Sequence, residues 1–378
     1  MKIVSIDAYA CRVPPASPWE DATNKVQAIE LIIVEVKTDT GISGTGISYS
    51  VDIGGTAIKT LIEDYLTPLA IGMDPLDYER LWTKLNRQSR RLGLGVNSMA
   101  IAAIDIAVWD IIGKHYGQPL YRLLGGAREF IQAYISEINL SATDTTADLV
   151  RRIDDYRARG FKSVKIKIGH DDPAIDIERI TMAKERLGPG GRLFVDLNQK
   201  WDAAEAIQKA ARLDDFGLGW IEEPILYQDI DGHARLRSAI RTPITLGESL
   251  YSRQQFLAYL KADAVDIVQA DVAFVGGITE WLKIAHLANA FGRTVAPHYM
   301  MELSLQLLCG VENAFLLEDV VGGSLTDLGL LEEPIGVKAG SAAPPKRPGH
   351  GIVIDWSAVK ARAVSSADVR NTFRGGSK

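Results

Sequence analysis

Cysteine is nearly absent: Cys11 and Cys309 are the only two in 378 residues. Neither stands in a CxxC pair, which excludes a disulfide framework and a zinc ribbon and leaves two buried free thiols as the expectation. An uninterrupted apolar run of about 18 residues is also missing, so no membrane span is expected. The opening MKIVSIDAYACRV alternates like a strand and lacks the continuous apolar core of a signal peptide. There is no long basic run, and the net charge is −6, so neither nucleic acid nor an anionic membrane is an expected partner. A soluble, cytoplasmic protein is the reading that these absences support.

What is present is globular: 47% of residues are apolar and 24% charged. The length suits a barrel plus a second domain. Residues 2–13 alternate, and AIELIIVEVKT and GISGTGISYS follow, joined by the turn Asp39-Thr40-Gly41. From about residue 56 to 118 the period becomes helical and ends in the strongly apolar SMAIAAIDIAVWDIIGKHYG. This describes an α+β domain over residues 1–127. Gly41, Gly44 and Gly46 imitate a dinucleotide loop, but no helix follows them directly, so they read as hairpin glycines.

From about residue 130 short apolar runs alternate with amphipathic stretches: FIQAYIS, SVKIKIG, RLFVDLN, LGWIEEP, ITLGES, VDIVQADV, RTVAPH and AFLLED. The polar residues that close them recur about every 25 residues, the length of a βα unit. Eight such strands close into an α/β barrel, placed at 128–320, and its weak last helix hints at a modified form. Residues 321–378 contain the further strand GIVIDW and are expected to return to the first domain.

Residues i and i+2 of a strand share a face. Lys165 and Lys167 therefore point into the barrel together, as do Asp196 with Asn198 and Gln269 with Asp271. Asp196, Glu222 and Glu248 close three successive strands, which lie about 4.8 Å apart. Three ionised carboxylates that close repel one another unless a cation sits among them. Oxygen-only donors favour Mg2+. A single acidic residue before Pro224 could merely start a helix, but three in register argue for a metal site. Two lysines side by side near a cation should lose affinity for protons, which makes a general base. Asp271 and His298 end neighbouring strands, where a carboxylate would fix the imidazole tautomer.

These parts suit removal of a proton α to a carboxylate. That proton is roughly 20 pKa units weaker than a tuned lysine, a gap of about 27 kcal/mol. A turnover on the order of 10 per second allows only about 16 kcal/mol. The difference, on the order of 10 kcal/mol, has to come from stabilising the enediolate with a cation and an acid such as Glu318. A Schiff-base aldolase would also need a barrel lysine, but it has no use for the three carboxylates. A non-catalytic homologue would be expected to lose members of the set.

The motifs VKIKIG, VDLNQ, WIEEP, LGES, QADVAFVGGIT, APH and LLED together resemble the mandelate racemase subgroup of the enolase superfamily over nearly the whole chain. The resemblance implies a modified TIM barrel, (β/α)7β, with an α+β capping domain, a small-molecule carboxylate substrate and a homo-oligomer. It implies that Asp196, Glu222 and Glu248 hold Mg2+. Lys167 would be the base on one face, with Lys165 touching the substrate carboxylate. His298, supported by Asp271, would act on the other face, and Glu318 would donate to the carboxylate. Ser136, Asn198 and Tyr49 would contact substrate. The stretches SYS (Ser48, Tyr49, Ser50) and NQKW are similar to the galactarate and talarate dehydratases, but Val51, Asp52 and Ile53 stand where basic residues are expected. A mono-acid sugar or another α-hydroxy acid therefore remains open beside a diacid, and a racemase beside an acid-sugar dehydratase.

Overall fold

The computed structural model describes residues 1–141 and 143–369. The chain begins with an antiparallel sheet in the order β1 (Ile3–Val13), β2 (Ile29–Thr38), β3 (Ser43–Val51). The β2–β3 turn needs the left-handed φ of +81° that Gly41 supplies. Gly44 and Gly46 serve a different purpose from a turn. A Cβ at Gly46 would stand 1.7 Å from the Ala103 carbonyl oxygen, and one at Gly44 2.1 Å from that of Ala107. The two glycines let β3 lie directly on the helix Val96–His115.

That helix has an unusual composition for a domain of this size. With a mean hydropathy of 1.5 over its best window, it is long and apolar enough to cross a membrane, although charged residues interrupt its apolar run. Yet 94% of that window is buried inside the chain. It is apolar all round because it is covered on two sides, by β3 and by the barrel helix Ile278–Ala290. Asp105 accepts from the Thr279 amide (2.9 Å) and hydroxyl (2.6 Å), capping that barrel helix from the other domain. Trp109 Nε1 donates to the same hydroxyl.

The barrel strands are β4 (Ile131–Ser136), β5 (Ser163–Lys167), β6 (Arg192–Asp196), β7 (Ile221–Glu222), β8 (Ile244–Leu246), β9 (Ile267–Val268), β10 (Thr294–Val295) and β11 (Leu317–Val320). All pair in parallel with their neighbours, and β11 pairs with β4. The ring closes through a parallel bridge between Val295 and Ala314. A helix follows each of the first seven strands, from Thr146–Ala158 to Met301–Gly310. Local signals start them: a capping box of Thr145 with Asp148, and Asp172 before Pro173 at the first helical turn. After β11, among the described residues, the chain runs in turns to a short strand, Ser341–Ala342. The architecture is (β/α)7β with an α+β cap.

The expected strand GIVIDW does not form: Ile354 makes only an isolated bridge with Leu331, and a helix begins at Trp356. That helix, Trp356–Arg362, packs on β1, and the Val364 amide donates to the Ala10 carbonyl at 2.7 Å. Residues 370–378 of the expected returning segment lie outside the described residues. Cys11 and Cys309 are buried free thiols.

Inside the barrel the side chains form layers. Tyr134, Phe194, Trp220, Ile267, Ala296 and Leu316 make an apolar floor, with Phe194 stacked on Trp220 at 3.7 Å. Two residues further along each strand, on the same face, stand Ser136, Asp196, Glu222, Gln269, His298 and Glu318. The polar layer thus rests on an apolar one, at the end of the barrel where βα loops converge.

Candidate active site

The three carboxylates Asp196, Glu222 and Glu248 converge, with one oxygen from each within 4.8 Å of the others. Lys165 Nζ lies 2.6 Å from Glu222, 2.9 Å from Glu318 and 3.3 Å from Asp196. Lys167 Nζ lies 2.6 Å from Asp196 and 2.7 Å from Asn198 Oδ1. His298 approaches from the other side, with Nε2 at 3.3 Å from Glu248 and Nδ1 at 2.8 Å from Asp271 Oδ2. Glu318 Oε2 accepts the Tyr299 amide at 2.7 Å. The candidate residues from the sequence thus come together in one cluster, and most are fully buried.

The three residues expected to contact substrate have different surroundings. Ser136 Oγ is buried and has no hydrogen-bond partner among the described residues, so it is free to meet a ligand. Asn198 sits at φ +43° with its side chain engaged: Oδ1 accepts from Lys167, and Nδ2 lies 3.4 Å from Glu248. The Tyr49 hydroxyl does not point at open space. It donates to Asp271 Oδ2 at 2.5 Å and lies 3.2 Å from His298 Nδ1.

Other members escaped the sequence reading. Trp220 Nε1 (3.0 Å) and Gln269 Nε2 (2.8 Å) both donate to Glu222 Oε2, which leaves Oε1 facing Lys165. The alternation rule had put Gln269 inside without a role, and the same rule applied backward from Glu222 reaches Trp220. Gln199 Nε2 bridges Glu223 (2.8 Å) and Ser249 (2.9 Å), linking the loops that follow β6, β7 and β8. Gln199 and Glu223 both hold left-handed backbone, at φ +66° and +39°. Such strain persists only where surrounding bonds over-determine it.

Taken without a cation or substrate among them, the protein's own charges act on Lys167 and Glu318 in the opposite sense to what those two groups are expected to do once both are bound. Among the protein's own groups, carboxylates outnumber the ammonium groups. Burial opposes charge on Lys167, but Asp196 outweighs it, so its pKa lies above the ordinary lysine value rather than below. Lys165 is likewise raised, with burial overcome by Glu222 and Glu318. Glu318 was expected to donate. Burial disfavours its charge, but Lys165 and His298 pull its pKa down to about 2, so here it is an acceptor. Burial and the neighbouring Asp196 charge push Glu222 up to about 8. His298 is raised to about 10: burial works against its charge, but Glu248 and the Asp271 hydrogen bond prevail. The raised lysines and His298 reflect the carboxylates crowded around them, the raised Glu222 its burial and its anionic neighbours, and the lowered Glu318 the two cations beside it.

The cap reaches this mouth. Trp19 Nε1 donates to the Val321 carbonyl at 2.8 Å, and Glu20 forms a bridge with Asn139. Beyond SYS, Asp52 Oδ1 accepts the Gln27 and Ala28 amides and is pinned within the cap, flanked by exposed Val51 and Ile53.

Comparison with known proteins gives two family matches. Residues 5–125 match the mandelate racemase / muconate lactonizing enzyme N-terminal domain, and residues 148–358 the enolase C-terminal domain-like family. The chain is 32% identical to a 3,6-anhydro-alpha-L-galactonate cycloisomerase of Streptomyces coelicolor, over 96% of this chain and 99% of that one. It is 37% identical to an L-talarate/galactarate dehydratase of Salmonella typhimurium, over 78% and 75% of the two chains. Among solved structures, a racemase from Streptomyces coelicolor with bound magnesium superposes with a TM-score of 0.91 at 32% identity, covering 96% of this chain and all of that one.

Proposed function

The chain belongs to the mandelate racemase and muconate lactonizing enzyme family of the enolase superfamily, and on that premise we propose that it removes the proton α to a carboxylate through an enediolate. The substrate class is a small acid sugar, dehydrated to a 2-keto-3-deoxy acid. The observation that carries the reading is the pair of proton carriers at two ends of the carboxylate cluster: Lys167 ends β5 and meets Asp196, while His298 follows β10 and meets Glu248.

Asp196, Glu222 and Glu248 fit Mg2+, being oxygen donors only and convergent, the first two buried and Glu248 partly open toward the mouth. When bound there, Mg2+ supplies the positive charge that steadies a substrate carboxylate as it becomes an enediolate, and it offsets the carboxylates that hold protons on the lysines. Lys167 takes the α-proton from one face. His298 returns a proton from the other, or delivers it to the departing hydroxyl, and its raised pKa keeps the imidazole charged with that proton before reaction. Lys165 meets the substrate carboxylate. Glu318 faces the same group, whose arriving negative charge raises the Glu318 pKa toward a donating form. The unpartnered Ser136 hydroxyl is a further donor to substrate.

Similarity to a dehydratase of acid sugars supports this outcome. The same pair, and similarity to a racemase, favour a second reading: racemisation or epimerisation of an α-hydroxy acid. A panel of aldonic and aldaric acids with Mg2+, followed by NMR, separates them. A 2-keto-3-deoxy product supports dehydration, and inversion at the α-carbon without loss of water transfers the proposal to the racemase reading. A panel of acid sugars and α-hydroxy acids giving neither product removes both.

A further inference from the structure

The two proton carriers are oriented by different parts of the molecule. Lys167 is held by Asp196 and Asn198, both from the barrel. The opposite pair is finished from the cap. Asp271 Oδ1 accepts the Ala273 amide at 2.8 Å, and Oδ2 is shared between His298 Nδ1 at 2.8 Å and the Tyr49 hydroxyl at 2.5 Å. With both oxygens engaged, the carboxylate has no rotation left, and the imidazole takes its orientation from it.

Tyr49 is itself fixed. It is 2% exposed and lies in β3, in register opposite Leu31 of β2. Its ring stacks on Phe274 (4.8 Å between centroids) and meets Tyr299 edge-on (4.6 Å). Phe274 lies on the turn that follows Asp271, and Tyr299 follows His298 in sequence. One cap side chain therefore touches the segments carrying both members of the pair. A phenol has a single proton to donate, and this one is spent on Asp271.

We propose that Tyr49 is a positioning residue for the Asp271–His298 pair, so that docking of the cap completes the histidine face of the site, whereas the side chains that hold Lys167 come from the barrel and, among the described residues, the cap bonds to them only through Thr23, whose hydroxyl donates to the Asn198 carbonyl at 3.4 Å. This rests on the two-base reading above for its catalytic consequence, and on geometry alone for the positioning itself.

The test uses Tyr49→Phe in the full-length, Mg2+-loaded protein, since phenylalanine keeps both ring contacts and loses only the hydroxyl. The chain has six histidines, so selective 15N-histidine labelling gives a tractable NMR spectrum, and His298 is assigned by the signal missing in His298→Asn. The expected result is a shifted or broadened His298 Nδ1 resonance with unchanged Mg2+ affinity by calorimetry. In D2O, with D-galactonate and its C2 epimer D-talonate as probes, α-exchange on the histidine face should fall about tenfold to a hundredfold, as for loss of a hydrogen bond to a charged group. Exchange on the lysine face should stay within about twofold of wild type, on the scale of a change below 0.5 kcal/mol. An unshifted His298 resonance overturns the proposal. So does an equal loss on both faces, which marks a residue that merely seats the cap or touches substrate. If His298→Asn spares exchange on both faces, the two-base reading fails, and the resonance still decides the role of Tyr49.

Discussion

Lys167 and His298 approach one carboxylate cluster from its two ends: Lys167 Nζ is 2.6 Å from Asp196, and His298 Nε2 is 3.3 Å from Glu248. A substrate carboxylate bound between them would present its α-carbon to a nitrogen on either side.

Our first prediction follows from that opposition. In D2O, Lys167→Ala should stop α-proton exchange in one epimer and leave slow exchange in the other, while His298→Asn does the reverse. Asp271→Asn should mimic the histidine change, because the imidazole loses the carboxylate that orients it. If either epimer kept wild-type exchange in both single variants, the two-base hypothesis would be wrong.

The second prediction concerns the metal. Glu222→Gln keeps the shape of the side chain but removes one of three anionic donors, so Mg2+ binding measured by calorimetry should weaken by at least tenfold, on the scale of 1.4 kcal/mol. Circular dichroism should remain that of the wild type. Chelation with EDTA should abolish turnover, and added Mg2+ should restore it. Full activity after exhaustive chelation would falsify the metal hypothesis.

The third prediction lies at the seam between cap and barrel. Burial raises the Asp105 pKa from the ordinary 3.8 of an aspartate to about 7, against its bonds to Thr279. The folded state therefore binds this proton more tightly than the unfolded chain. Its contribution to stability is full below about pH 4 and is lost as pH rises through about 7. Three pKa units correspond to a swing on the order of 4 kcal/mol. Asp105→Asn keeps an acceptor for Thr279 without the charge. Urea midpoints should consequently move in favour of the variant as pH goes from about 5 to 8, relative to the parent. A difference between the two that is flat with pH would exclude this assignment.

What the sequence determined by itself is whatever depends on neighbours within one strand or one βα unit. The pairs Lys165/Lys167 and Asp196/Asn198 point inward because alternation is a local property of extended backbone. The carboxylates that close β6, β7 and β8 converge because parallel strands carry their ends to one rim. The barrel and its cap were legible on the same grounds.

Tertiary structure decided everything that depends on distance between remote segments. Tyr49 and Asp271 are 222 residues apart in sequence, and no periodicity relates them. The directions of the Lys167 and Glu318 shifts follow from how many charges of each sign are packed together, a sum over strands that cannot be formed from spacing. The helix Val96–His115 has membrane-like hydropathy, and only its burial between β3 and a barrel helix makes it a core element. Gly44 and Gly46 imitate a nucleotide loop in sequence, whereas in space they mark where a strand meets the Ala103 and Ala107 backbone. Alternation and turn chemistry act between residues adjacent in the chain, while burial and charge balance act between residues adjacent only in the fold.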